Sequence, residues 1–311
     1  MKKIIERLNP HWGFFYDISR VLVRTRSAWQ TIELAESPAF GKVLLLDGIT
    51  QVAQRGEERY HESLVFPAML SHPEPVNVLV VGGGDGAVLR EVLRFRTVRK
   101  AVMVELDEAV VSFSKQYMPE ISDGAFVDPR AEIVVGDGRT YVEQCAGASF
   151  DVVLMDMTDP FGPSEKLYTK EFFVQVKRVL RGAEGVFALH GESPIARPVA
   201  YACIEKTLRE VFSYVKSAFT FVPMYGTLWS FKFASDACDC SSLSEDDMER
   251  LLTTRYTRTP AYCNPQIYTS IFAMEPAAIE ALSHPDARII EDRNSCFPDA
   301  FDPKSGRCIT Y

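Results

Sequence analysis

The sequence holds no long apolar run: nowhere in its 311 residues is there anything near the ~18 consecutive apolar positions that a membrane-spanning helix requires. Its start, "MKKIIERLNPHWGFF", has neither an apolar h-region nor a small-residue cleavage site, so no export signal is expected. The seven cysteines, at 145, 203, 238, 240, 263, 296 and 308, are odd in number, lack paired zinc-ligand spacing and are too sparse for a disulfide framework. Cys238-x-Cys240 and Cys296 therefore read as structural thiols, no metal site is expected, and the setting read from the sequence is reducing and cytoplasmic. Positive charge is in deficit: 34 Lys and Arg against 42 Asp and Glu give a formal charge of −8 and a pI near 5.3. That balance counts against a nucleic-acid-binding surface and is compatible with a cationic substrate. Internal repeats and low-complexity tracts are also missing, and the length suffices for a substantial core.

What is there divides by pattern into three parts: 1–72, 73–240 and 241–311. The first contains the β-like stretches "SAWQTIELAES" and "GKVLLLDGITQVAQ", the latter split by Asp47-Gly48, and predicts a small antiparallel sheet. "SHPEP" (71–75) marks its boundary. In the second, the apolar runs "VNVLVV", "KAVMVEL", "AEIVV", "FDVVLMD" and "GVFALHG" alternate with helical spacing over 86–95, 107–117, 166–180 and 197–212. This predicts an α/β doubly wound parallel sheet. Two further runs, "VKSAFTFV" and "WSFKFAS", have only "PMYGTL" between them, too little for a crossover, and should pair antiparallel at a sheet edge. In the third part Ser244 reads as the N-cap of a helix, a second short helix is expected around 275–282, and the tail from 284 has little periodicity.

The chemistry concentrates at strand ends. "VLVVGGGDGAVLREVLRF" (78–95) runs from strand through Gly82, Gly83 and Gly84 into helix, an arrangement that lets a ligand approach backbone N–H groups. Glu105 lies twenty residues beyond Asp85, where an acidic strand end can accept hydrogen bonds from ribose hydroxyls. The third strand ends in Asp137-Gly138, suited to an exocyclic adenine amine or, equally, to capping the next helix. Asp85 itself disfavours a dinucleotide, since a carboxylate repels pyrophosphate; it would attract an ammonium or sulfonium group, or else cap the helix. The fourth strand delivers Asp156 and Asp159, followed by prolines. Carboxylates and tyrosines there make a pocket for a polycation. An amine that is to act as nucleophile must lose its proton, and Asp156 is the candidate base.

"LDGITQVAQRGEERYHE", "VVGGGDGAVLREVL", "VELD", "VGDG" and "DMTDPFGPSEKLY", in this order and spacing, resemble the polyamine aminopropyltransferases, the spermidine synthase family, over roughly residues 12–280. The resemblance implies a Rossmann-like, methyltransferase-type sheet and transfer of an aminopropyl group from decarboxylated S-adenosylmethionine, a co-substrate and not a resident cofactor, to a polyamine, releasing methylthioadenosine. It also implies a homodimer or homotetramer, with no nucleic-acid or membrane partner. Carried over by motif, Gln30, His61, Asp85, Glu105 and Asp137-Gly138, with the Gly82–Gly84 turn, would bind the donor. Asp156 would accept the proton. Tyr60, Asp159 and Tyr225 would line the acceptor channel, and Gln51 the wall separating the substrates.

Two stretches depart from diamine-using members: "HGES" (190–193) where "QGE" is usual, and "MYGTLW" (224–229) where a "YPSG"-like turn is usual. They leave putrescine, agmatine and spermidine open as acceptors. His190 is either a neutral pocket group or a satisfied strand-end histidine, and Trp229 either stacks on a ligand or belongs to core or interface. Glu57 and Glu58 read as solvated, on a loop that could close over the site. An S-adenosylmethionine-dependent amine N-methyltransferase is the alternative, and a non-catalytic ligand-binding protein a third reading.

Overall fold

A computed structural model describes residues 2–160 and 162–301; Cys308 lies outside the described residues. The N-terminal part holds a hairpin, β1 (Lys2–Asn9) with β2 (Trp12–Ile18), and a four-stranded antiparallel sheet of β3 (Arg20–Arg26), β4 (Thr31–Ser37), β5 (Gly41–Leu46) and β6 (Ile49–Ala53). The turn from β5 to β6 uses Asp47 and Gly48 with φ of 52° and 85°, the left-handed pair that a two-residue hairpin needs. Only β4, β5 and β6 were legible as strands. β3 ("RVLVRTR") is mostly exposed, and the hairpin sequences "KKIIERLN" and "WGFFYDI" lack the apolar–polar alternation that marks a half-buried strand.

The helix α1 (Glu58–Ser71) follows, unannounced by any apolar stripe because it is buried almost all round, Pro67 included. It packs on the large sheet, and that sheet alternates with helices as expected. In chain order it runs β7 (Asn77–Gly82), α2 (Ala87–Leu93), β8 (Lys100–Glu105), α3 (Glu108–Tyr117), α4 (Pro119–Ser122), β9 (Ala131–Val135), α5 (Gly138–Gln144) and β10 (Val152–Asp156). A 3-10 segment (Gly162–Tyr168), α6 (Lys170–Val179), β11 (Val186–His190), α7 (Pro198–Arg209), β12 (Tyr214–Val222) and β13 (Thr227–Ser235) complete it.

The seven strands lie in the order β12-β13-β11-β10-β7-β8-β9. The five central and far-edge strands are parallel, and β12 with β13 form the expected antiparallel pair at one edge. Apolar side chains on both faces, such as Leu79, Val80, Val153 and Leu154, are fully buried, each worth about 1.5–3 kcal/mol. From β7 the chain steps one way to β8 and β9, then returns to the other side at β10. The crevice where the order reverses is where such sheets bind ligands, and the register sets Asp156 opposite Gly82 there.

Three helices follow: α8 (Glu245–Arg255), α9 (Pro265–Ile271) and α10 (Pro276–Ala281). Ser244 caps α8 by accepting from the Asp247 amide at 3.1 Å, as read from sequence; α9 was not anticipated. The tail then crosses back over the sheet's helices without regular structure. Ile290 bonds to the Lys170 amide through its carbonyl (2.8 Å) and to Thr207 Oγ1 through its own amide (3.0 Å). The six described cysteines are free thiols.

Candidate active site

The glycine turn after β7 presses against two acidic strand ends. Gly82 and Gly83 have φ of 83° and 74°, which glycine alone adopts without strain. A Cβ at Gly82 would stand 2.2 Å from the Asp156 carbonyl oxygen, and one at Gly84 3.0 Å from Glu105 Oε2. The two readings of Asp85 coexist, one on each oxygen. Oδ1 accepts from the Ala87 amide at 2.8 Å, capping α2, while Oδ2 faces His61 Nε2 at 4.0 Å.

His61 comes from α1 and is held from behind. Its Nδ1 is 2.5 Å from Glu57 Oε2, and Arg90 of α2 forks onto the same carboxylate at 2.8 and 3.0 Å. Burial would hold Glu57 up, but His61 and Arg90 overcome it and bring it down to about 2. Burial would likewise lower His61, yet Glu57 first, then Asp85 and Asp156, lift it to about 9. The imidazole is therefore a fixed cation at neutral pH. This corrects the reading of Glu57 as solvated: it is a buried ion-pair member, because α1 turns its polar residues inward onto α2.

Asp156 ends β10 beneath this group. Its Oδ1 accepts from Tyr60 Oη at 3.0 Å. Burial, and then the neighbouring Asp85, push its carboxyl up to about 6, partly offset by His61. A base poised near the working pH is what proton abstraction from an ammonium needs. His61, Asp85 and Asp156 offer ligand atoms within 4.8 Å of one another. A metal there would have to displace the proton that Glu57 favours on the imidazole.

Two cavities meet at this point. One, of about 190 Å³, is lined by Gln30, His61, Gly83, Gly84, Asp85 and Glu105, with Asp156 at its inner end. Glu105 Oε1 accepts from the Asp107 amide at 2.9 Å, and burial pushes its carboxyl up to about 7. Gln30 is fixed by donating to Asp107 Oδ2 at 3.1 Å. The other, of about 430 Å³, is lined by Glu6, Asp159, His190 and Trp229 among others. Gln51, Tyr60 and Tyr225 line both. Tyr225 Oη donates to the Gln51 carbonyl at 2.8 Å, and its ring lies edge-on to Tyr60, centroids 5.9 Å apart, so these three, with Asp47, Met157 and Thr158, form the partition.

In the larger cavity, burial pushes the Asp159 carboxyl up while Arg197 holds it down. His190 is buried and shares a 2.6 Å hydrogen bond with Tyr168 Oη through Nε2, while its Nδ1 has no partner. Burial brings it down to about 4, so it is neutral. Its ring stacks on Trp229, centroids 5.6 Å apart. Both residues are thus core and cavity wall together. The following turn is close-packed: a Cβ at Gly191 would meet Lys232 Cε at 2.7 Å, and the buried Lys232 is anchored by Glu205 at 2.8 Å.

Asp137, Gly138 and Gly82 are not among the residues lining either cavity. Asp137 is exposed and caps α5, its Oδ1 accepting from the Thr140 amide at 2.7 Å, while Gly138 is small so that the turn can pack on Val81. Conversely, sequence reading missed Glu6. It sits on β1, bonds to Thr50 through the Thr50 amide (3.1 Å) and hydroxyl, and is pushed up to about 7 by burial with a contribution from Asp159. No signal in "KKIIERLN" marks it, since only the folding of the hairpin over the cavity brings it there.

The Spermine/spermidine synthase domain family matches residues 57–242, and the Spermidine synthase tetramerisation domain family matches residues 4–54. The chain is 41% identical to Polyamine aminopropyltransferase 1 of Hyperthermus butylicus over 263 residues, 83% of this chain and 90% of the relative. It is 35% identical to the polyamine aminopropyltransferase of Nitrosomonas europaea over 300 residues, 96% of this chain and 91% of the relative. A crystal structure of a spermidine synthase with the transition state analogue AdoDATO superposes with a TM-score of 0.84 at 32% identity, over 90% of this chain and 94% of that one. The spermidine synthase of Thermotoga maritima gives 0.83 at 31%, over 91% and 94%.

Proposed function

The chain belongs to the spermine/spermidine synthase family and transfers an aminopropyl group from decarboxylated S-adenosylmethionine to a polyamine; from that premise we propose an acceptor longer than a simple diamine, with a second cationic centre toward Asp159 and Glu6. The observation that carries this reading is the pair of half-buried carboxylates in the larger cavity, beyond the Tyr60–Asp156 hydrogen bond. Both are raised by burial, which is the state an entering cation relieves. The neutral His190 adds no opposing charge.

In this reading Glu105 accepts from the donor ribose, Gln30 and the Gly83–Gly84 backbone border the nucleoside, and the Asp85 carboxylate orients the aminopropyl ammonium. Asp156 takes a proton from the acceptor ammonium, and Tyr60 and Tyr225 hold the freed amine in line. The nitrogen lone pair then forms a bond to the methylene carbon beside sulfur as the carbon–sulfur bond breaks; its electron pair stays on sulfur, and methylthioadenosine leaves. Alignment and deprotonation supply the catalysis, and a sulfonium leaves readily enough that the displacement requires no resident metal or cofactor. N-methyl transfer is not favoured: ordinary S-adenosylmethionine would bring a carboxylate toward Asp85 and Asp156.

The match of residues 4–54 to a tetramerisation family, with Ile5 and Phe15 exposed at 74% and 61%, supports an oligomer, proposed as a homodimer or homotetramer. No described helix is long and apolar enough to cross a membrane, and free thiols suit a proposed cytoplasmic setting. The acceptor is tested by initial rates with putrescine, agmatine and spermidine. A higher kcat/KM for spermidine or agmatine supports the reading, and a preference for putrescine overturns it.

A further inference from the structure

We propose that the C-terminal segment 288–301 acts as a strap for the acceptor side of the cleft, with Asp292 and Asp299 as positioning residues. The inference rests on the larger cavity being the acceptor site. The first arm is Asp292. Its carboxylate accepts from both terminal nitrogens of Arg139 at 2.7 and 2.6 Å and from Thr169 Oγ1 at 2.8 Å, and its carbonyl accepts from Lys166 Nζ at 2.6 Å. Ser295 adds a hydrogen bond to Glu165. These bonds pin the stretch 165–169, in which Tyr168 is fully buried.

Tyr168 carries the constraint inward. Besides its bond to His190, its hydroxyl donates to the Thr158 carbonyl at 3.4 Å, and Phe297 of the strap packs edge-on against its ring, centroids 6.0 Å apart. Asp292 is thus linked through Thr169 and Tyr168 to two residues that line the cavity.

The second arm is Asp299. Its Oδ2 accepts from the Ala200 amide at 3.2 Å and from Arg197 Nε at 3.4 Å, while the Arg197 guanidinium lies over the Phe301 ring, 5.1 Å from its centroid. Arg197 is itself buried, and its positive charge offsets part of the rise that burial gives Asp159 and the buried Glu192. The strap therefore holds the Arg197 side chain from two directions, by the Asp299 ion pair and by the Phe301 ring. The first arm ends on Thr158, which borders both cavities, and on His190, which borders the larger one alone; neither arm bonds to Gln30, Asp85 or Glu105.

A structural strap and a positioning strap differ in which kinetic constant moves. The test is steady-state kinetics of Asp292→Asn and Asp299→Asn, with unfolding midpoints measured in parallel and with whichever acceptor the wild type turns over. The proposal expects acceptor KM to rise about tenfold in each, with donor KM and kcat within about twofold, and partial recovery in Asp292→Glu. Asp299→Asn preserves shape at a partly exposed side chain and alone suffices if Asp292→Asn does not fold. Unchanged acceptor KM in a folded variant, or donor and acceptor KM rising together, overturns the strap. The acceptor preference of the wild type is decided separately, so failure of one reading does not disguise failure of the other.

Discussion

The two cavities that meet at Tyr60 are built on different plans. In the smaller cavity, the proposed donor side, Asp85 follows the glycine turn and Glu105 ends β8, and each also bonds to a nearby amide: Asp85 to Ala87 and Glu105 to Asp107. Local sequence places these carboxylates, and the turn each one caps fixes its direction. On the acceptor side Glu6 comes from the hairpin, Asp159 from the segment after β10, His190 from β11 and Trp229 from β13, and the wall is tied down by Arg197 and the tail. A site of the first kind is copied with its motif, whereas one of the second kind changes whenever a distant segment changes, which is where acceptor choice can diverge within one chemistry.

The largest expected effect falls where the two sides meet, at the carboxylate that holds the Tyr60 hydroxyl. Asp156→Asn should lower kcat about a thousandfold while leaving donor affinity within a few-fold, read by single-turnover product formation beside calorimetric donor binding. Retained turnover would remove Asp156 as base and dissolve the junction between the cavities. Next, Asp85→Asn should lose about a hundredfold in preference for the decarboxylated donor over S-adenosylmethionine, measured by competition, with acceptor KM little changed. A change in acceptor KM instead would mean that the two sides are not separable.

These donor-side groups were legible because buried parallel strands read as continuous apolar runs, so the acids that end them stand out: Asp85, Glu105, Asp156. The fold was legible for the same reason. Glu57 was misread since charged residues before a polar-looking helix suggest solvent; only the packing of α1 against α2 shows its polar face turned onto Arg90. Glu6 and Asp292 were invisible because hairpin and tail carry no periodicity, and each acts on residues more than forty or a hundred positions away.

The Glu57–His61 pair gives a sharper, pH-dependent test. In the proposed mechanism Asp156 works deprotonated; burial and Asp85 push it up to about 6, and the charged His61 holds it down in part. His61 is kept charged by Glu57, against burial, with Asp85 and Asp156 facing it and Arg90 behind Glu57. Without Glu57 the imidazole loses its proton nearer neutrality, and Asp156 rises. In Glu57→Gln the acid limb of the kcat profile should therefore move to higher pH by about 1, with the alkaline plateau retained. An unmoved limb would show that His61 does not set the base. The smallest effect is expected at Glu6: Glu6→Gln should raise KM roughly threefold for a triamine and leave putrescine unaffected, as for a half-exposed charge. Equal effects on both amines would place Glu6 outside the acceptor path.

The most direct measurement of the central claim, that one side receives a decarboxylated cationic donor and the other a long amine, is mass analysis of the products. The purified protein is given either decarboxylated S-adenosylmethionine or S-adenosylmethionine, with putrescine, agmatine and spermidine together in equal amounts. The account predicts an aminopropyl addition, with the decarboxylated donor only, on spermidine or agmatine ahead of putrescine. A methylated amine, or aminopropylation of putrescine alone, would contradict it.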